Sequence, residues 1–197
     1  MFRSRIHELE SGTASAQTLD VPLFLMRILG ALVLDPGAYE NVEADRHAAM
    51  QSVVVVMAVS VAGGIGAIGF GLVGIAGFVT GAIISLGAWL VWAATIATLG
   101  TTALAEPQTR SSLPELLRVL GFAAAPGVFI ALAAMPAVAP IVLVVVAAWM
   151  IAAAVVAVRQ ALDYRSTARA VVVCVAGAAL SFGVVSAAAL IFTKKVS

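Results

Sequence analysis

Residues 52–105 read "SVVVVMAVSVAGGIGAIGFGLVGIAGFVTGAIISLGAWLVWAATIATLGTTALA". This stretch contains no Asp, Glu, Lys or Arg, and Val119–Val158 and Ala170–Thr193 also lack all four. A helix needs about 20 apolar residues to cross the roughly 30 Å of hydrocarbon in a bilayer. Uncharged stretches of this length therefore predict membrane-spanning helices rather than the core of a soluble domain.

The overall composition supports the same conclusion. The chain is 62% hydrophobic and 11% charged, whereas a soluble domain carries about 25% charged residues. The net charge of +1 provides no electrostatic footprint for nucleic acid, so no nucleic-acid partner is expected. Cys174 is the one cysteine and lies in an uncharged stretch, where a packing role is expected.

The sequence predicts an all-α integral membrane protein with five transmembrane helices, preceded by a short cytoplasmic or interfacial helical segment. Ser112 and Glu115 form a capping box with Pro114 in the first turn, which marks the start of the third span. Pro126 and Gly127 lie inside that span and predict a kink, which is also a candidate cavity. The predicted spans are about 52–70, 77–103, 114–134, 141–158 and 168–192, within a transmembrane domain that covers 51–197.

Five spans place the two termini on opposite sides, and the positive charges select the side. Lys194 and Lys195 follow the last span, whereas the positive charges on the N-terminal side are all arginines. Because cytoplasmic loops are enriched in positive charge, we expect a cytoplasmic N-terminus and an external C-terminus. The arginines of the N-terminal side are Arg3, Arg5, Arg27, Arg46, Arg110, Arg118, Arg159, Arg165 and Arg169.

Residues 1–50 are predicted to form a cytoplasmic segment with two short helices. The first, about 21–34, is too short to span the bilayer and has Arg27 at its centre, so an interfacial helix on the cytoplasmic leaflet is expected. The second, about 36–50, has Asp35 as its cap and Pro36 in its first turn. It is a juxtamembrane helix that could continue into the first span without a break.

Glu40, Glu43 and His47 are spaced to share one face of this second helix. The face is either solvated, with a Glu43–His47 contact, or able to bind a metal ion or relay protons. A structural zinc site needs four ligands, and no second His or Cys is nearby in the sequence. We therefore expect neither a metal nor a cofactor.

Further charges lie at the cytoplasmic helix ends, where Glu115 and Arg118 are spaced i, i+3 and Arg159 and Asp163 are spaced i, i+4. They act either as interfacial anchors with local ion pairs or as a clamp. In the clamp hypothesis, basic residues of the bundle hold the acidic helix before it. The candidate cytoplasmic interaction surface comprises Glu40, Glu43, Asp45, His47, Glu115, Arg118, Arg159, Asp163, Arg165 and Arg169, of which the four arginines would meet Glu40, Glu43 and Asp45.

Small residues at helical spacing offer another contact surface. Gly77 and Gly81 in the second span, and Gly177 and Ser181 in the fifth, are each spaced i, i+4. Such pairs let helix backbones approach closely. They serve either packing within the bundle or the interface of a homo-oligomer.

No motif of an enzyme is found. The two histidines, His7 and His47, both precede the first span, and no aspartate lies within a span. A Gly-x-Ser-x-Gly elbow, a His-Glu-x-x-His pair and a phosphate-binding loop are all absent. We therefore expect no enzymatic activity and assign no catalytic residues.

Three stretches resemble the bacterial branch of the Ypt-interacting (Yip) membrane protein family. They read "RILGALVLDPGAYENVEADRHAAMQSVVVV", "LLRVLGFAAAPGVF" and "AVRQALDYRSTARAVVV". With their order and spacing, the resemblance covers roughly Arg27 to Phe192. The resemblance implies a five-span protein of the bacterial plasma (inner) membrane with a cytoplasmic N-terminus. The association of the eukaryotic branch with Rab-type GTPases is not carried over, because the Asp-Leu-x-Gly-Pro type of motif is absent.

Two functions are consistent with these features. The first is a non-enzymatic scaffold, adaptor or membrane-organising protein, whose partners are membrane lipid and either a second copy or an unidentified membrane or cytoplasmic protein. The second is a small-solute or ion permease or channel, opened by the kink at Pro126. A water-filled cavity that reaches Pro126 favours the permease, whereas a close-packed bundle favours the scaffold.

Overall fold

The computed structural model describes residues 20–106 and 112–196, and this part of the chain is all-helical, with no strand. Arg3, Arg5, His7 and Arg110 of the predictions above lie outside the described residues, as do the side chains of Lys194 and Lys195. Two 3-10 segments, Ala67–Phe70 and Ala125–Ala134, accompany the helices. The helices are α1 (Val21–Leu32), α2 (Pro36–Ala44), α3 (Ala48–Gly66), α4 (Gly74–Thr101), α5 (Leu113–Ala123), α6 (Ala139–Ala161) and α7 (Thr167–Val196).

The chain is an all-α membrane protein, which confirms the predicted fold class. Four described helical stretches are long and apolar enough to cross a bilayer: Ala48–Phe70, α4, α6 and the part of α7 up to Val184. Helix α5 and the 3-10 segment after it form a fifth span if they are counted together, and they are bent by 40° at Ala124. The bend lies just before Pro126, whose ring cannot continue the α-helical hydrogen bonds.

The predicted juxtamembrane helix over 36–50 is interrupted in the structure. Helix α2 ends at Ala44, Asp45 is extended with ψ of 111°, and α3 begins at Ala48. The cause is local, because the Asp45 carboxylate accepts a 2.9 Å hydrogen bond from the backbone N–H of His47. Such side-chain bonds compete with the helical ladder, so the chain turns here and does not run straight into the first span.

Glycines bring the first three spans into close contact. A Cβ added at Gly81 would lie 2.6 Å from the Ala67 Cβ, and one added at Gly66 or Gly69 would meet a carbonyl oxygen of the 3-10 segment Ala125–Ala134. A Cβ added at Gly177 would lie 2.8 Å from Trp92. Gly81 and Gly177 therefore serve internal packing, which is the first of the two roles expected for the small-residue pairs.

One end of the bundle collects the polar contacts, and we call it the polar face. Here the Tyr164 hydroxyl donates a 2.7 Å hydrogen bond to the Gly100 carbonyl, which joins the end of α4 to the turn before α7. Glu106 accepts hydrogen bonds from the backbone N–H groups of Arg165 at 3.1 Å and Ser166 at 3.4 Å. Helix α1 packs on α5 and on the 3-10 segment after it, and α2 packs on α5 and α6, so both are attached to the bundle on this side.

Candidate functional site

Arg27 is the centre of the polar face. Its side chain is 0% exposed, and each of its three nitrogens has a partner. Nε donates to the Asn41 side-chain oxygen at 2.7 Å, Nη1 to the Gln51 side-chain oxygen at 2.7 Å, and Nη2 to Asp45 Oδ2 at 2.8 Å. This one side chain therefore joins α1, α2, the turn at Asp45 and the first span.

The arrangement meets the conditions that a buried guanidinium requires. A buried ion is stable only when it is paired and its remaining hydrogen-bonding groups are satisfied. Asp45 balances the charge, and the two amide oxygens satisfy the other N–H groups. Burial raises the pKa of Asp45, but the hydrogen bonds from Arg27 and His47 outweigh it and hold that pKa below its usual value. Asp45 therefore faces Arg27 as a carboxylate.

His47 takes part through Asp45 and not through Glu43. Its Nδ1 lies 3.2 Å from Asp45 Oδ1, and its side chain is exposed. The prediction that Glu40, Glu43 and His47 share one helix face was wrong, because the helix ends at Ala44. Within the described residues, no group of three or more His, Cys, Asp or Glu side chains could hold a metal ion.

Arg118 is a second buried arginine at the polar face. Its Nη2 donates a 2.7 Å hydrogen bond to the backbone carbonyl of Glu43, in the last turn of α2. A cation at this position satisfies a carbonyl that the helix leaves unpaired and complements the negative end of the helix dipole. Arg118 thus contacts the acidic segment as the clamp hypothesis expects, but through main-chain oxygen rather than a carboxylate.

The other arginines of the clamp hypothesis have different surroundings. Arg169 Nε lies 3.7 Å from Glu106 Oε1, so it pairs with the end of the α4 region instead of α2. Arg165 gives its backbone N–H to the same carboxylate, and its side chain is exposed. Arg159 is exposed in the last turn of α6, and the next residue, Gln160, donates a 2.8 Å hydrogen bond to Glu40 Oε1.

Acidic groups surround Glu43. Burial is the main reason that its pKa is raised, and the charges of Asp163, Glu115 and Glu40 raise it further, while Arg118 lowers it. Asp163 reaches this group from a turn in which its φ is 53°, two residues beyond the end of α6. Arg159 and Asp163, which are spaced i, i+4 in the sequence, therefore do not lie on one continuous helix.

The capping box at the start of α5 is present. Glu115 Oε2 accepts a 2.8 Å hydrogen bond from the Ser112 N–H, and the Ser112 side chain caps the first turn in return. The Glu115 side chain thus caps the start of α5, the same helix that carries the buried Arg118.

Pro126 and Gly127 lie in a packed environment at the bend. Pro126 is fully buried, and a Cβ added at Gly127 would lie 2.6 Å from Val59 Cγ1 and 3.2 Å from Met150 Sδ. The backbone at the kink is therefore in contact with the first span and with α6.

Several residues of the polar face were not assigned a role from the sequence. Arg27 carried the clearest signal, since a charge at the centre of an apolar helix is stable only beside partners. Its partners Asn41 and Gln51 are uncharged amides far along the chain, so no spacing rule identifies them. Gln160 and Glu106 likewise have long-range contacts that sequence patterns do not reveal.

Comparisons with known proteins give no relatives. No family model, no curated protein and no solved structure matches this chain. Its assignment must therefore rest on the geometry described above.

Proposed function

We propose that this chain is a non-enzymatic scaffold or adaptor of the bacterial inner membrane, of the Yip type, whose polar face lies in the cytoplasm and binds a partner protein. The observation that supports this proposal is that some arginines of the polar face are buried in structural contacts whereas others are exposed. Arg27 and Arg118 are buried and hold α1 and α2 onto the spans, whereas Arg46, Arg159 and Arg165 are exposed. A fixed frame that presents unburied charges is suited to protein recognition.

The rigidity of that frame matters for recognition. Binding surfaces that are already ordered lose less conformational entropy on association. Contacts from Trp149 to Leu32, Gln160 to Glu40 and Arg118 to Glu43 connect the segment before the first span to three different points of the bundle. These contacts fix the segment before the first span at the polar face.

The packing at the kink weighs against the alternative of a permease or channel. A conducting path needs room beside the bent span, and the backbone at Gly127 is in contact with Val59 and Met150. The described spans also carry no charge at mid-depth, where coupled transporters usually keep one. We therefore rank transport second.

Site-specific photo-crosslinking in native membranes tests the adaptor proposal. A photoreactive residue is placed at Arg46, Arg159 or Arg165 on the polar face, and at the lipid-facing position Val144, which is 70% exposed, as the matched control. We expect a discrete protein adduct from polar-face positions and none from Val144. Absence of any adduct at all three arginine positions, with the protein present at its normal level, would contradict the proposal.

A further inference from the structure

The depth of α1 is set by its contacts with two spans. Trp149 Nε1 donates a 3.0 Å hydrogen bond to the carbonyl of Leu32, at the C-terminal end of α1. Trp149 lies near the middle of α6, about 15 Å from Ala139 and about 18 Å from Ala161 at 1.5 Å per residue. If α6 crosses the bilayer, the end of α1 is therefore well inside the hydrocarbon.

The other end of α1 is also below the ends of the spans. The Phe24 ring packs edge-on against Phe122 with 6.1 Å between centroids. Phe122 is near the C-terminal end of α5, about 13 Å from its first residue. Both contacts place α1 at the depth of the acyl chains on the polar-face side, and α2 returns from there to the turn at Asp45.

The outward face of α1 has the apolar composition of a surface in contact with lipid rather than with water. The face toward the bundle carries the buried Arg27, whereas the outward face is apolar. A helix on a soluble surface has the opposite pattern, with its apolar face inside. The outward stripe is spaced i, i+4 and consists of Val21, Leu25, Leu29 and Val33, which are 58%, 52%, 49% and 65% exposed.

This stripe continues the apolar outer surface of the spans beside it. Helix α1 packs on the 3-10 segment of the third span, which itself exposes Phe129 and Leu132. Phe129 stacks on Trp149 at 5.5 Å, the same indole that holds Leu32. One apolar surface thus runs from the spans onto α1, and acyl chains are the occupant that covers all of it.

The two halves of the molecule then differ in cross-section. The polar-face half contains the spans together with α1 and α2. On the opposite side, the described connections are short turns, at residues 71–73 and 135–138, and add no helix. A body that is wider in one leaflet expands that leaflet.

We propose that α1 and α2 form a re-entrant hairpin in which α1 lies among the acyl chains of the leaflet on the polar-face side and α2, whose exposed Glu40 contacts Gln160, leads back to the polar face, and that the protein therefore prefers membranes that are convex on that side. The occupant of the outward stripe is lipid. This inference concerns the shape of the protein in the bilayer and is independent of any partner protein.

The first part of the test measures depth. The full-length protein carries a nitroxide on Leu25→Cys and is reconstituted in lipid; native Cys174 is fully buried and does not react. Val144→Cys is the control for a lipid-facing site on a span, and Arg46→Cys is the control for an aqueous site. We expect the Leu25 label to be accessible to oxygen and protected from a water-soluble nickel chelate, like the Val144 label. Accessibility like that of the Arg46 label would overturn the re-entrant hairpin.

The second part measures curvature preference with purified protein and lipid only. The protein is reconstituted into giant vesicles in both orientations, and membrane tethers are pulled, in which the outer leaflet is convex. An impermeant label on Arg159→Cys identifies molecules whose polar face is outside. Those molecules should be enriched on the tether relative to the vesicle, with a ratio above one, and molecules of the opposite orientation should be depleted.

The two orientations are matched controls, since they are the same folded protein. Equal partition of both orientations would overturn the curvature preference even if Leu25 proves to be in the hydrocarbon. Because no partner protein is present, failure here leaves the crosslinking result for the adaptor proposal unaffected, and the reverse also holds.

Discussion

At the scale of single residues, two buried arginines connect α1 and α2 to the spans at the polar face. Arg27 has three side-chain partners, and Arg118 has the carbonyl of Glu43. Removing the partner of a buried charge lowers the free energy of unfolding far more than an exposed ion pair raises it. Substitutions at these two positions should therefore differ sharply in effect from substitutions at exposed arginines.

Arg27→Met tests this difference. The substitution leaves Asp45 partly buried without its cation, and we expect a loss of about 3–5 kcal/mol of unfolding free energy. Unfolding of the detergent-solubilised protein by a denaturing detergent provides the measurement. Arg159→Met is the matched control, because Arg159 is exposed, and should change the free energy by less than about 0.5 kcal/mol. Equal losses in the two variants would refute the role of Arg27.

The pKa of Glu43 gives a prediction with a definite sign. Its value in the folded protein is raised by burial and by neighbouring carboxylates, so the folded state binds this proton more tightly than the unfolded state does. The associated stability is present below the unfolded pKa and is lost as pH rises through the folded pKa. Glu43→Gln should therefore flatten this decline and make the protein more stable than wild type at neutral pH.

Asp45 supplies the contrasting case. Its pKa is lowered, so the stability it contributes is present above the unfolded pKa and is lost as pH falls below that value. A pH series of unfolding measurements on wild type, Glu43→Gln and Asp45→Asn separates the two groups. A Glu43→Gln profile that is parallel to wild type across this range would argue against the raised pKa.

Only part of this residue-level picture could be predicted from the sequence. Opposite charges predicted that Arg118 would pair with a carboxylate of the acidic segment, whereas Arg118 contacts that segment through the main-chain carbonyl of Glu43. The partners of Arg27 could not be found, because they lie 14, 18 and 24 residues away on other elements. Residue contacts over such distances depend on how the helices pack, which local patterns do not specify.

At the scale of elements, the spans and the kink in the third span were predictable, whereas the 3-10 geometry after the kink was not. Lipid cannot hydrogen-bond the backbone, so an uncharged stretch must be helical. The kink at Pro126 also followed from the ring. The 3-10 geometry that continues to Ala134 did not, because 3-10 segments of this length are uncommon and because it depends on the close approach of Gly66 and Gly69.

Gly69→Ala tests that close approach. The added methyl would meet the carbonyl oxygen of Ala133, and since backbone cannot move aside cheaply, we expect a loss of about 1–3 kcal/mol. Gly87→Ala is the control, because a Cβ there has open space; it should be neutral or stabilising by less than about 1 kcal/mol. The measurement compares the unfolding free energies of the two variants with that of the wild type. A Gly69→Ala variant as stable as wild type would show that the 3-10 segment can move away from the added methyl group.

At the scale of the whole molecule, the fold determines which ends lie together but not which compartment they face. The polar face and the short turns at Pro136 are at opposite ends of the bundle. The excess of arginine on the N-terminal side predicts that the polar face is cytoplasmic. Because this prediction concerns the orientation of the protein in its membrane, its test requires intact cells.

Labelling of single cysteines with an impermeant maleimide tests the orientation. Ala137→Cys should react in intact cells, whereas Arg159→Cys should react only after the cells are opened, since both positions are exposed at opposite ends. The unmodified protein provides the background, because Cys174 is buried. Labelling of Arg159→Cys from outside would reverse the predicted topology.

The contacts of Arg27 also constrain how the protein is assembled during synthesis. When α1 leaves the ribosome, Asn41, Asp45 and Gln51 are still behind it in the exit tunnel, and Trp149 follows much later. A short helix with an uncompensated guanidinium at its centre has no stable place in hydrocarbon at that time. Helix α1 therefore reaches its proposed place among the acyl chains only after later segments have been inserted, so the first helix that the structure describes is among the last to reach its final position.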